Sequence, residues 1–317
     1  ARASALAGDV SLTRADDTIV ALRVKIGAII TAPEHTRYAP GGGTVPLNAW
    51  MNQTWLQERL NLTGRVNVLA ISSSEITPDQ ADAALASHWR LDDIQSGITC
   101  APQGLRLTSN RVLIDPPVRD AAAQLDPGAV GVLSWLANAL EAGERSSPYG
   151  IVTALGSLDP RTAPPLPDWV PPLAEDAIAL NAWTAQDLDV TPGATATLRY
   201  STLGQSRQVA EETRDLRITQ ITPMKGLLAD PGFLPPIPGI TDADSCKDWA
   251  PGLPVDLAKM RPADEAYWET YRGTPRAFLA LGTGQELWGS PHGDLTAVIF
   301  DRPCPEARTL EDDLLRN

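Results

Sequence analysis

Residues 264–300 read DEAYWETYRGTPRAFLALGTGQELWGSPHGDLTAVIF, and the fold turns on how this run divides. Asp264 and Glu265 open a helix, because the free N–H groups and positive dipole end of a first turn favour acids. Tyr267, Trp268 and Tyr271 follow at i, i+1 and i+4, which places three rings on one face as in a buried stripe. Phe278-Leu279-Ala280-Leu281 then reads as an apolar strand. Gly284-Gln285-Glu286-Leu287-Trp288 reads as a short helix, and Gly293-Asp294-Leu295-Thr296-Ala297-Val298 as a second strand after a glycine stop.

The same order of parts recurs in residues 44–72, TVPLNAWMNQTWLQERLNLTGRVNVLAIS. Val45-Pro46-Leu47, Gln53-Thr54-Trp55-Leu56 and Gly64-Arg65-Val66-Asn67-Val68-Leu69 parallel the strand, helix and strand of the later run. Upstream, 19–26 resembles 213–220. The pattern predicts a module of about two hundred residues present twice, its first copy entered partway through.

Between these copies the predicted elements are mixed. Residues 8–32 read as two strands, with Val20, Leu22, Val24 and Ile26 alternating in the second. Thr77-Pro78-Asp79 starts a helix reaching Arg90, with proline and acid suited to a first turn. Leu105–Ile114 alternates as a strand, Val130–Glu141 reads as a helix stopped by Gly143, and Tyr149–Leu155 is a strand. Residues 177–222 read as strand, helix, strand, strand, with Thr191-Pro192-Gly193 as a turn. The passages 159–172 and 226–254 are too rich in proline for a helix or central strand and are expected as ordered surface straps or linkers. A last helix begins near Pro305. Helices and strands interleave without regular βα alternation, which favours an α+β fold.

At 317 residues the chain is long enough for about two domains. It opens on Ala1-Arg2-Ala3-Ser4, without an initiator methionine or signal-peptide pattern, and reads as a segment of something longer. Its formal charge of −13 argues against nucleic acid, whose binding needs Lys and Arg to displace phosphate counterions. Three cysteines allow one disulfide and one thiol, or three thiols; Cys246 and Cys304, nearest in sequence, are the expected pair.

Catalytic motifs are missing. There is no phosphate-binding G-x-x-x-x-G-K-[ST] loop and no G-x-S-x-G elbow. His35, His88 and His292 lack metal-ligand spacing, so no metal or cofactor is expected. Asp264 and Glu265 beside Tyr267, Trp268 and Tyr271 also suit a sugar-binding or glycosidase face, in which paired carboxylates serve as acid and base. Helix capping and ring packing explain the same residues without chemistry, and that reading is preferred. The nine tryptophans are expected mainly in core packing. Asn52-Gln53-Thr54 and Asn61-Leu62-Thr63 match the glycosylation pattern by chance.

Several of these segments resemble one family. Asp264-Glu265-Ala266-Tyr267-Trp268, Tyr271-Arg272-Gly273-Thr274-Pro275-Arg276-Ala277-Phe278, Gly284-Gln285, Leu287-Trp288-Gly289-Ser290 and the block from Gly293 through Leu295-Thr296 are similar to the extracytoplasmic region of bacterial ABC transporter permeases, FtsX-like and MacB-like. Leu180-Asn181-Ala182-Trp183-Thr184-Ala185, Thr191-Pro192-Gly193, Ser147-Pro148-Tyr149 and Gly64-Arg65-Val66-Asn67 extend the resemblance over most of the chain. Pro291-His292 departs from it, where these permeases commonly carry other residues.

The resemblance implies a domain on the periplasmic side of the inner membrane, built of porter-like strand-helix-strand and sabre-like β-rich parts. On that basis 1–34 would be the β-rich part of a truncated first module and 35–125 a porter-like region. Residues 126–262 would be sabre-like with proline-rich straps, and 263–317 porter-like with a C-terminal helix. It implies no catalytic, cofactor or metal residues. Its partners would be a cytoplasmic ATP-binding subunit, reached through transmembrane helices outside this segment, and periplasmic proteins. The family-motif residues would be structural. The alternative is a secreted carbohydrate-binding or glycoside-hydrolase module.

Overall fold

The computed structural model describes residues 22–29, 49–66, 68, 70, 76–159, 164–203, 209–237, 239–249, 255–290 and 292–316. The described residues through Pro78 fall in one unit and those from Asp79 onward in another.

In the first unit the expected repeat is only partly recovered. Helix α1 (Gln53–Leu60) forms where Gln53-Thr54-Trp55-Leu56 predicts it. Asn52 Oδ1 accepts the Trp55 N–H at 2.9 Å, and Asn61 closes the helix in the left-handed conformation, so both asparagines serve as caps. No residue of α1 is buried. Residues 22–29 form no strand, and neither do Gly64–Val66. Val24 and Ile26 are exposed, and among the described residues of this unit no strand lies beside them to bury an alternating face. The remaining strand residues of this copy, Val45–Leu47 among them, lie outside the described residues.

The second unit is a barrel with a wing, which corrects the expected duplicated α+β module. Helix α2 (Pro78–Ala86) precedes β1 (Ser96–Ala101) and β2 (Gly104–Ser109). Helix α3 (Pro116–Leu125) starts on two prolines, since Pro suits the first helical positions. Then come β3 (Val130–Ala142), β4 (Arg145–Ser157), β5 (Ala177–Asn181), α4 (Ala182–Leu188), β6 (Thr195–Leu203) and β7 (Val209–Thr222). Helix α5 (Pro262–Tyr271), β8 (Ala277–Ala280), α6 (Leu281–Trp288), β9 (Ala297–Phe300) and α7 (Ala307–Leu314) complete it.

The strands run in the order β1-β2-β9-β3-β4-β8-β5-β7-β6, and β6 pairs back onto β3 through Thr197–Arg199 against Ala139–Glu141. Six strands, β3, β4, β8, β5, β7 and β6, therefore close on themselves, and β9, β2 and β1 extend outward from β3 as a wing. The pairings β4–β8 and β5–β7 are parallel and the rest antiparallel. Closure spares the six barrel strands an open edge, and the sheet ends at β1 of the wing.

Strand β3 corrects the helix expected over Val130–Glu141. It pairs with β4 from Val130↔Ser157 to Ala142↔Arg145, and almost every residue is buried. A strand covered on both faces needs apolar residues throughout, so it loses the period-two pattern and mimics a buried helix. Gly143, with φ of 56°, makes the β3–β4 turn where it was expected to stop a helix.

The alternation reappears in how side chains divide between two cores. Ala277 and Leu279 of β8 and Val298 and Phe300 of β9 enter the larger cluster, while Phe278, Ala297 and Ile299 enter the smaller. The proline-rich straps cover the smaller one, Val170 from the first and Phe233 from the second. Trp135, Trp249, Trp268 and Trp288 are buried, whereas Trp50 and Trp89 are exposed.

Cys100 and Cys304 form the disulfide, with Cα atoms 5.5 Å apart, which corrects the expected Cys246–Cys304 pair. Pairing of β9 with β2 carries the chain past the β1–β2 hairpin and delivers Cys304 to Cys100. Cys246 is a buried free thiol whose sulfur lies 3.6 Å from the Asp264 carbonyl oxygen. Among the described residues, no helix is long and apolar enough to cross a membrane.

Candidate functional site

The motif residues of α4, α5 and the approach to β8 meet in one polar cluster. Asn181 ends β5 and caps α4, its Oδ1 accepting the Thr184 N–H at 2.7 Å. Its Nδ2 donates to the Tyr267 hydroxyl and to the Pro275 carbonyl, both at 2.9 Å. Tyr267 donates onward to the Thr274 carbonyl at 3.0 Å. One amide thus ties β5, α4, α5 and the segment leading into β8.

Asp264 is the centre of the cluster, and its side chain is 0% exposed. Oδ2 accepts the Arg261 backbone N–H at 3.0 Å and Nε at 2.8 Å. Oδ1 accepts Arg261 Nη2 and Arg276 Nη1, each at 3.0 Å. Arg276 also donates to Ser147 Oγ at 2.8 Å and the Pro148 carbonyl at 3.0 Å. Its guanidinium lies 4.8 Å from the ring centres of both Trp183 and Tyr267, so two aromatic faces replace the water it has lost. Arg261 extends the network to both carboxylate oxygens of Asp187, at 3.1 and 2.6 Å.

These surroundings set the protonation states. Burial by itself raises the Asp264 carboxyl, but the Arg261 hydrogen bonds and the Arg276 charge outweigh it and hold the pKa below the ordinary 3.8. Burial pushes the Tyr267 phenol up to about 12. The carboxylate is therefore charged and the phenol neutral near pH 7.

An ionised carboxylate has about four lone-pair sites, and four N–H donors fill those of Asp264. No oxygen is left to take a proton from water or to accept a sugar hydroxyl. Glu265 does not complete an acid–base pair: it lies beside Cys246, whose thiol is pushed up to about 12 by burial and then by the Glu265 charge. The Asp264 carboxylate is wholly engaged in holding these parts together.

The remaining motif residues lie elsewhere in the unit. Tyr271 packs on Tyr267 with ring centres 5.1 Å apart, and Phe278 meets Phe233 edge-on at 6.4 Å. Arg272 ends α5 with φ of 51°; its guanidinium lies 5.7 Å from the Trp268 ring centre and donates to the Asp244 carbonyl at 3.2 Å. Gln285 donates to Asp294 Oδ2 at 2.9 Å across a groove of about 360 Å³ that also touches Gly289, Ser290 and Gly293. Trp288 meets Tyr200 edge-on at 6.0 Å. The Leu295 carbonyl accepts the Ile114 N–H at 2.8 Å, and Thr296 Oγ1 accepts the Ser134 N–H at 3.0 Å. Gly193, with φ of 100°, makes the turn into β6.

A second buried ion pair was not legible in the sequence. Arg106 of β2 bonds Asp230 of the second strap, donates to the Gly232 carbonyl at 2.8 Å and lies 5.5 Å from the Phe233 ring centre. The two residues are 124 apart in sequence, and no local pattern links them. Only the Asp230 cap, which accepts the Gly232 N–H at 2.8 Å, has a sequence signal, an aspartate just before Pro231. Among the described residues no group of three metal-ligating side chains occurs.

No family model matches the chain, and no curated protein matches it.

Proposed function

We propose that this chain is a non-catalytic extracytoplasmic domain of a bacterial ABC transporter permease, a stiff body coupling membrane-helix motion, driven by a cytoplasmic ATP-binding subunit, to work on the periplasmic side. The observation that carries the reading is Asp264 enclosed by Arg261 and Arg276. The most specific stretch of the family resemblance is spent on a closed structural joint. Coupling needs a packed body that moves as one piece, and a closed barrel pinned at its helices by such a joint suits that role.

The Cys100–Cys304 bond supports the location, since structural disulfides persist in oxidising compartments. The barrel is not the porter-and-sabre arrangement that the resemblance implied, so the support rests on the motif residues and their joint.

The test is transport by the full-length permease, co-expressed with its ATP-binding subunit in membrane vesicles. Removing residues 79–317 is expected to abolish export while leaving nucleotide binding by the ATPase intact. Undiminished export and ATPase stimulation without the domain would sink the proposal.

A further inference from the structure

We propose that the Cys100–Cys304 disulfide is a redox latch that holds α7 against the wing, and that its reduction releases α7 while the barrel stays closed. The inference stands on its own observations and does not need the transporter reading.

Three features carry it. Both cysteines are on exposed residues, so a dithiol reductant has access, whereas the third, Cys246, is buried. Helix α7 has eight residues and buries only Leu310 and Leu314, below the length at which an isolated helix persists in water. Those two leucines seat it against α3 and β1, and its ion pair, Arg302 to Asp313 at 3.8 Å, has both side chains partly in solvent, the kind of contact that adds little. The disulfide closes a loop of sequence separation 204 and is the covalent tie between β1 and the segment that leads into α7.

The barrel is built to survive the release. In strand pairing the wing joins it through β9 on β3, over Val130–Val132, while β3 closes the barrel through β4 and β6. None of the six barrel strands contains Cys100 or Cys304. In the release step a dithiol gives up two electrons and two protons and becomes a disulfide. The sulfur–sulfur bond breaks, and Cys100 and Cys304 each end as a thiol.

Hydrogen exchange of the whole chain, read by mass spectrometry with and without dithiothreitol, tests this. The expected result is a loss of protection of at least about tenfold in peptides covering 304–316 on reduction, with peptides covering 130–157 unchanged. A Cys100→Ser/Cys304→Ser chain should show the released pattern without reductant and should not respond to it, while Cys246→Ala should respond as the parent does. Unchanged protection of α7 in the reduced parent would overturn the proposal. So would loss of barrel protection together with α7, or three alkylatable thiols in the chain unfolded without reductant.

Discussion

Arg276 Nη1 and Asp264 Oδ1 lie 3.0 Å apart with 4% and 0% of their side chains exposed, an ion pair almost wholly withdrawn from water. Such a pair is costly to break from one side, because the surviving charge stays buried without its partner. Asp264→Ala is therefore expected to lose about 3–5 kcal/mol of stability in chemical denaturation. Replacing both together, Asp264→Leu with Arg276→Met, should cost clearly less than the sum of the single changes, because neither charge is then stranded.

The same carboxylate predicts a pH dependence. Its folded pKa lies below the ordinary 3.8, so its contribution is fully present above that value and is lost as pH falls through the lower folded value. Denaturation midpoints of the parent should fall through this acid range. Those of Asp264→Asn should start lower and fall less steeply, and parallel curves would refute the assignment.

The Trp183 and Tyr267 rings each lie 4.8 Å from one guanidinium, and 4.7 Å from each other. Trp183→Leu should cost about 1–2 kcal/mol, the range of a desolvated cation–π contact, and Trp183→Phe should recover part of it. Equal losses in the two variants would show that the ring face is irrelevant.

Two glycines in α6 should respond in opposite directions to the same substitution. A Cβ on Gly284 would fall 2.3 Å from the Cβ of Ala154, a short side chain fixed on β4, so Gly284→Ala should cost about 1–3 kcal/mol. A Cβ on Gly282 meets nothing within 4 Å, so Gly282→Ala should gain about 0.4–1 kcal/mol by restricting the unfolded chain. Thermal denaturation of the two variants reads both effects.

Cys246, with its thiol at about 12, is almost entirely protonated at pH 8. The native protein should leave a thiol-specific disulfide reagent unreacted, and unfolding without reductant should release one equivalent. Fast reaction of the native protein would place Cys246 at the surface.

Local chemistry explains which parts of the fold the sequence disclosed. Asn181 before an apolar helix, and Thr191-Pro192-Gly193 after it, mark β5, α4, β6 and β7 because caps and turns are written in adjacent residues. The acids opening α5 were readable for the same reason, yet Arg276, which makes Asp264 a joint, lies beyond the helix and reaches it only through the parallel β4–β8 pairing. Barrel closure rests on such distant pairings, and no periodicity records them. β3 was read as a helix because burial on both faces erased the alternation that marks a strand. Cys304 was matched to the nearer cysteine, since spacing says nothing of which hairpin β9 will lie beside.

Because β8 fits between β4 and β5, the barrel has a fixed place in the order of synthesis. A ribosome that has made residues 130–222 has made five of the six staves and must add nearly sixty more residues before the sixth exists. Until then β4 and β5 face each other across an unfilled slot, with bare edges open to other nascent chains.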